Sequence, residues 1–260
     1  MNRRYPKGLV VLSGGQDSTT CLFWAKQFYT EVHAVTFDYG QRHIIEIEAA
    51  KKVAKMAGVV THEIITVPNI LISSSPLTSD SSLEKYESFD EMDGTIGNRR
   101  ELTFVPMRNA LFLTIAANRA EALQIPDIIT GVCQMDNANY DDCREVFIAA
   151  TQDYINKALG HDHRGTPAIT IVTPLLHMSK AKSVKLAQAL PGCWEALAYS
   201  HTSYDGKYPP TDNNHANVLR AQGFLEANMP DPLVVRAWKE GLMELPDTVN
   251  YLLFKDSYHD

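Results

Sequence analysis

Apolar residues near the N-terminus fall into strand-length runs separated by stretches with helical spacing. Gly8-Leu9-Val10-Val11-Leu12 is one such run, broken at Ser13-Gly14-Gly15, after which Ser18 to Tyr29 repeats its apolar residues at helical intervals. That order reads as strand, glycine turn, helix. Val32 to Phe37 predicts a second strand, His43 to Met56 a helix and Thr61 to Val67 a third strand. Strands that alternate with helices from the first residues predict an α/β fold, a parallel sheet with helices on both faces.

Between Ile72 and Glu101 the chain turns to Ser, Asp, Glu and Gly without a clear period. The expectation is a long mobile loop, which in a compact domain serves more often as a lid than as a passive connection. Leu111 to Leu123 predicts a helix, Ile128 to Val132 a buried strand, Cys143 to Leu159 a helix and Ile169 to Val172 a further strand. From Pro191 the pattern changes: Pro209-Pro210 and Asp212-Asn213-Asn214 mark an irregular segment, and Val234 to Met243 predicts a closing helix. These shifts divide the chain into a nucleotide-binding catalytic domain, 1–190, and a small C-terminal region, 191–260.

A length of 260 residues with 45% hydrophobic and 21% charged content describes an ordinary folded chain. The formal charge of -7 argues against a large nucleic-acid surface and favours a small-molecule substrate. No secretory leader or membrane-spanning run is evident, so a cytoplasmic protein is expected. The four cysteines, Cys21, Cys133, Cys143 and Cys193, form no CxxC pair, which leaves small buried thiols as the default.

The chemistry starts at Leu12-Ser13-Gly14-Gly15-Gln16-Asp17-Ser18. Glycines between a buried strand and a helix let the backbone approach a phosphate, and the helix N-terminus adds free N–H groups. Ser13 and Ser18 add hydroxyls, and Asp17 suits the Mg²⁺ that accompanies ATP. The loop has neither the lysine of a Walker A motif nor the third glycine of a dinucleotide fingerprint. A glycine turn with a serine cap is the plainer alternative. The segment resembles the SGGxDS signature of the PP-loop ATP pyrophosphatase family, and the resemblance implies a Rossmann-like adenine nucleotide α-hydrolase fold and cleavage of ATP to AMP and pyrophosphate.

Further blocks follow in order: Phe37-Asp38-Tyr39-Gly40-Gln41-Arg42-His43 with Glu46 and Glu48; Thr103 to Asn109; Gly131-Val132 with Asp136, Tyr140, Asp142, Cys143 and Arg144; and Thr173-Pro174-Leu175 with Lys180. Over residues 8 to 225 the chain resembles the 7-cyano-7-deazaguanine synthase family. The resemblance implies a ligase that adenylates the carboxylate of 7-carboxy-7-deazaguanine, forms the amide with ammonia, and adenylates the amide to reach the nitrile. Arg108, Arg144 and Lys180 are candidates for phosphates or the substrate carboxylate, with surface ion pairing as the alternative. Asp38, Tyr39 and Gln41 are candidates for adenosine or lid contacts, or for core and turn. Arg108, Asn109, Gly131, Asp136, Tyr140 and Asp142 are candidates for substrate binding, with a helix cap the alternative for Asp142. No glutaminase segment is recognisable, so free ammonia is the expected donor, and the family's habit suggests a homodimer. A diverged enzyme stopping at 7-amido-7-deazaguanine, another PP-loop ligase, and a non-catalytic nucleotide-binding subunit stay open.

The chain departs from the family at the metal. Where the family carries four zinc cysteines, this sequence has Ser203, Thr211, Asn214 and Asn217. Hydroxyls and amides are poor Zn²⁺ ligands beside thiolates, so no zinc is expected and a hydrogen-bonded knuckle takes its place. His201, Asp212 and His215 have the right types for a replacement site but match no standard spacing. Asp141 stands where the family has proline, and Lys182 where an acidic residue is common.

Overall fold

A computed structural model describes residues 5–40, 45–67, 70–79, 81–135, 139–165 and 168–258. Five strands form one parallel sheet in the order β3-β2-β1-β4-β5. They are β1 (Tyr5–Val11), β2 (Tyr29–Asp38), β3 (Thr61–Thr66), β4 (Asp127–Ile129) and β5 (Thr170–Val172). The helices are α1 (Gln16–Phe28), α2 (Ile45–Ala57), α3 (Phe89–Ile96), α4 (Arg108–Leu123), α5 (Glu145–Leu159), α6 (His161–Arg164), α7 (Lys180–Ala189), α8 (Cys193–Leu197), α9 (His215–Ala227), α10 (Pro232–Lys239) and α11 (Val249–Tyr258).

The period-two alternation of the strands sets the two halves of the core. Val10, Ala34 and Ile129 point to one face, where α1, α2, α7, α8 and α9 bury Leu22, Val53, Val184, Leu197 and Phe224. Leu9, Val35, Ile128 and Ile171 point to the other, packing on Leu113 and Ala116 of α4 and Ile148 and Ile155 of α5. Both faces are covered, so the central strands read as continuous apolar runs. The chain proceeds outward from β1 through β2 to β3, then returns to place β4 on the other side of β1. That reversal opens a crevice beyond the C-terminal ends of β1 and β4, where ligands of open parallel sheets bind.

Several expected boundaries move. The segment 72–101 is not wholly irregular: α3 forms there, with Met92 and Ile96 buried against Leu219 of α9 and Tyr86. Its start is signalled by Ser88, whose hydroxyl accepts from Glu91 N at 3.2 Å, while Glu91 Oε2 accepts from Glu87 N at 2.6 Å; this is close to a capping box. The strand expected to reach Val132 ends at Ile129, because the chain then turns to run against the start of α1. The helix expected from Cys143 begins at Glu145, after a 3-10 turn over Asp141–Cys143. Asp142 caps neither: its Oδ2 accepts from Asn109 N at 3.2 Å, satisfying the N-terminus of α4. The helix expected over 234–243 is α10, and α11 follows it. Cys143 is half-buried, whereas the other three thiols are buried. No described helix is long and apolar enough to cross a membrane.

Candidate active site

A cleft of about 350 Å³ lies at that crevice, lined from β1, β2, the stretch that follows β4, the N-termini of α1, α4, α7 and α9, and the segment before α9. Leu12 is wholly buried and locks the end of β1, its N–H donating to Val35 O at 2.8 Å and its carbonyl accepting from Thr36 Oγ1 at 2.6 Å. The following loop is held from within: Ser13 Oγ and Ser18 Oγ are 2.9 Å apart, and Ser18 Oγ also donates to Gly15 O at 3.2 Å. Gly14 has φ 86, and a Cβ there would stand 2.5 Å from Glu46 O, so only glycine lets the loop press on α2. Gly131 does the same from the other side, with a Cβ position 2.9 Å from Ser18 N. Gly15 caps α1 without any side-chain hydrogen bond. The first turn of α1, Gln16 to Ser18, lines the cleft, the ordinary setting for an anion. Gln16 is buried at the same point, and its Nε2 has no hydrogen-bond partner among the described residues.

Asp17 and Lys180 meet across the cleft, Nζ donating to Oδ2 at 2.8 Å with side chains 25% and 11% exposed. Arg108, opening α4, forms a second centre. Burial works against its charge, but Tyr39, Tyr140, Tyr204 and Asp142 around it hold its pKa above the ordinary guanidinium value. Burial pushes Tyr204 up to about 12 and Tyr140 well above the usual phenol range. Tyr140 OH lies 2.5 Å from Thr103 Oγ1, which also donates to buried Glu101. Phe112 stacks on Phe37 at 4.3 Å and leans on Tyr39 at 5.3 Å, giving that wall an aromatic surface. Arg144 lines the rim and pairs with Asp141 at 3.5 Å; Asp141 also binds Arg100. The acidic residue at 141 thus tethers two arginines that a proline would leave unpaired.

Of the residues singled out in the sequence, Leu12, Ser13, Gly15, Gln16, Asp17, Ser18, Tyr39, Arg108, Asn109, Gly131, Tyr140, Arg144 and Lys180 line this one cleft. Gly14 supports it from behind. Asp38 is outside the lining and accepts from Gly40 N at 3.4 Å. Asp142 also sits behind, its carbonyl accepting from Asn109 Nδ2 at 3.2 Å. Gln41 and Asp136 lie outside the described residues. The cleft also contains side chains to which the sequence lent no binding role: Glu46, Phe112, Thr202, Tyr204 and Arg220. Glu46 is pushed up to about 7 by burial, with Arg108 pulling the other way.

The C-terminal segment closes the cleft. His201 N donates to Gly14 O at 2.9 Å, and its Nε2 donates to Ser203 O at 2.8 Å. Ser203 Oγ accepts from Asn214 Nδ2 at 3.0 Å and Asn217 Nδ2 at 2.9 Å, and donates to Asp205 at 2.6 Å. Thr211, expected in this knot, is exposed and outside it. Among the described residues no three histidine, cysteine or acidic side chains converge as metal ligands, so His201, Asp212 and His215 are not brought together as a set.

Residues 7–228 match the family model described as queuosine biosynthesis protein QueC. The chain is 48% identical over 236 residues to a 7-cyano-7-deazaguanine synthase of Gloeobacter violaceus, covering 90% of this chain and 96% of that one. It is 44% identical to the enzyme of that description from Chromobacterium violaceum, covering 90% and 95%. A solved NMN synthetase from Francisella tularensis aligns with 98% of this chain and 85% of its own at 12% identity and TM-score 0.40.

Proposed function

The chain belongs to the family of queuosine biosynthesis protein QueC, and from that premise we infer that it is an ATP-dependent carbon–nitrogen ligase converting 7-carboxy-7-deazaguanine and ammonia to 7-cyano-7-deazaguanine. The observation that carries the reading at the level of residues is the joining, in one cleft, of the Ser13–Ser18 loop and its Asp17–Lys180 pair to an aromatic pocket centred on Arg108.

The N-terminus of α1, where Gly15 supplies no side-chain cap, and the Nε2 of buried Gln16, without a partner among the described residues, fit a polyphosphate. Asp17, a carboxylate open to the cleft, would hold Mg²⁺, which when bound supplies positive charge against the phosphates. Lys180 brings a second positive charge to the α-phosphate as the substrate oxygen attacks and pyrophosphate leaves. A carboxylate is a poor electrophile, and the bond to AMP turns its oxygen into a leaving group. Ammonia then attacks the carbonyl carbon, AMP departs and one proton is lost from nitrogen, giving the amide. The amide oxygen attacks a second ATP, and loss of AMP with the two remaining nitrogen protons leaves the nitrile. Arg108 orients the substrate acid, and Tyr39, Phe112, Tyr140 and Tyr204 supply rings for a planar base.

Mass spectrometry of the product from ATP, ammonia and 7-carboxy-7-deazaguanine tests the reading. The nitrile with two pyrophosphates released per turnover is expected. Accumulation of the amide alone would move the end point, and no acid-dependent pyrophosphate would leave only nucleotide binding.

A further inference from the structure

Glycine is a poor residue for a helix interior, yet Gly223 stands inside α9. Its backbone does not require glycine, since it is absent from the positions with positive φ. What the position provides is space. A Cβ on Gly223 would fall 2.3 Å from Lys180 Cγ, 2.9 Å from Lys180 Cβ and 3.4 Å from the Lys180 carbonyl carbon. These atoms are the root of the lysine side chain, so bending its outer carbons would not relieve the contact. Turning the lysine about its first torsion moves Cγ but not Cβ, so α7 and α9 must part slightly and the lysine must turn, which swings the ammonium away from Asp17.

We propose that Gly223 is a positioning residue, its bare face on α9 forming the passage along which the Lys180 stem reaches Asp17 and so fixing where the ammonium meets the phosphates. The inference rests on the reading of Lys180 given above for its functional consequence, but not for its geometry. Lys180 is the first residue of α7, held by the Ser179 cap, and its side chain is 11% exposed. With the backbone fixed at one end and Asp17 at the other, the stem has one short route, and it passes over residue 223.

The test is Gly223→Ala in the full chain. Lys180 is expected to resist acetic anhydride in the parent and to be acetylated severalfold faster in the variant, with other lysines unchanged, as read by peptide mass spectrometry. A displaced charge that acts in the transition state lowers kcat by about 100-fold and leaves KM for ATP within about threefold. The same substitution in a Lys180→Gly chain should cost little further, because Cβ and Cγ are both gone. If Gly223→Ala does not fold, adding Lys180→Gly should restore folding. Failure of that rescue overturns the proposal, and so does unchanged Lys180 acetylation in a folded variant. So does an unchanged kcat where Lys180→Ala is itself impaired. Should Lys180→Ala prove fully active, the assigned role of Lys180 fails, and acetylation alone decides the positioning.

Discussion

Asp17 and Glu46 are the acidic residues among the described lining of the cleft, and their surroundings treat them differently. Asp17 has the Lys180 ammonium at 2.8 Å, whereas Glu46 has no hydrogen bond or ion pair among the described residues and is pushed up to about 7 by burial. Its folded pKa exceeds its unfolded value, so the fold favours the protonated form. Any stability from that preference is present below the unfolded pKa and is lost as pH rises through about 7. Glu46→Gln, which imitates the protonated acid, should therefore raise stability at pH 8 by on the order of 1–3 kcal/mol and change it little at pH 4. Melting curves across that range check it, and parallel curves for the two proteins would remove Glu46 from the pH dependence. Asp17→Asn should abolish pyrophosphate release while costing no more than about 1 kcal/mol of stability, since the loop is set by Gly14, Gly131 and the serine pair. Normal turnover by that variant would take Asp17 out of the mechanism. Asp17 was legible because its loop is contiguous in the chain. Glu46 and Tyr204 were not, because their meaning comes from a shared neighbour, Arg108, on a third element.

A buried ion pair ties α9 to the start of α10. Arg220 donates to Asp231 at 2.6 and 2.8 Å, both side chains 3% exposed, and also to Ser200 Oγ at 3.0 Å and Thr202 Oγ1 at 2.8 Å. Asp231 in turn caps α10 by accepting from Leu233 N at 2.9 Å. Asp231→Ala leaves the Arg220 charge buried and opens the start of α10, so it should cost about 3–5 kcal/mol by denaturant titration. Because Arg220 also steadies the stretch that delivers His201 to Gly14, kcat should fall with it; a loss under about 1 kcal/mol would show the pair to be well hydrated. At this scale the sequence predicted strands better than helix ends. Apolar runs of strand length announce β1 and β2, but the start of α5 depends on Asp142 turning to cap α4, a choice made by a contact 33 residues away in the chain. The α3 helix had a local signal in Ser88 and Glu91, outweighed by the polar text around it.

For the molecule as a whole, the C-terminal segment closes over the phosphate loop through polar side chains and backbone. Ser203, Asn214 and Asn217 form a connected polar knot under the segment that clamps the phosphate loop. We predict that the purified protein carries no stoichiometric zinc and keeps its fold and activity through chelation once Mg²⁺ is resupplied. Ser203→Ala should lower stability by about 1–3 kcal/mol without altering metal content, since it strands the buried amide of Asn214, while Asn217 Nδ2 keeps its bond to Asp212 O. Elemental analysis giving about one zinc per chain, with unfolding on its removal, would overturn this. The sequence by itself determined the alternation of strands and helices, the phosphate loop and the blocks that mark the family, because each is written in consecutive residues whose chemistry is local. Only the tertiary structure decided that β4 returns beside β1 to open the cleft, that Arg108 gathers three tyrosines, and that a glycine in α9 makes way for Lys180. Those depend on contacts between residues far apart in the chain, whose free energy is settled by packing and shared burial, and no single stretch of sequence carries that information.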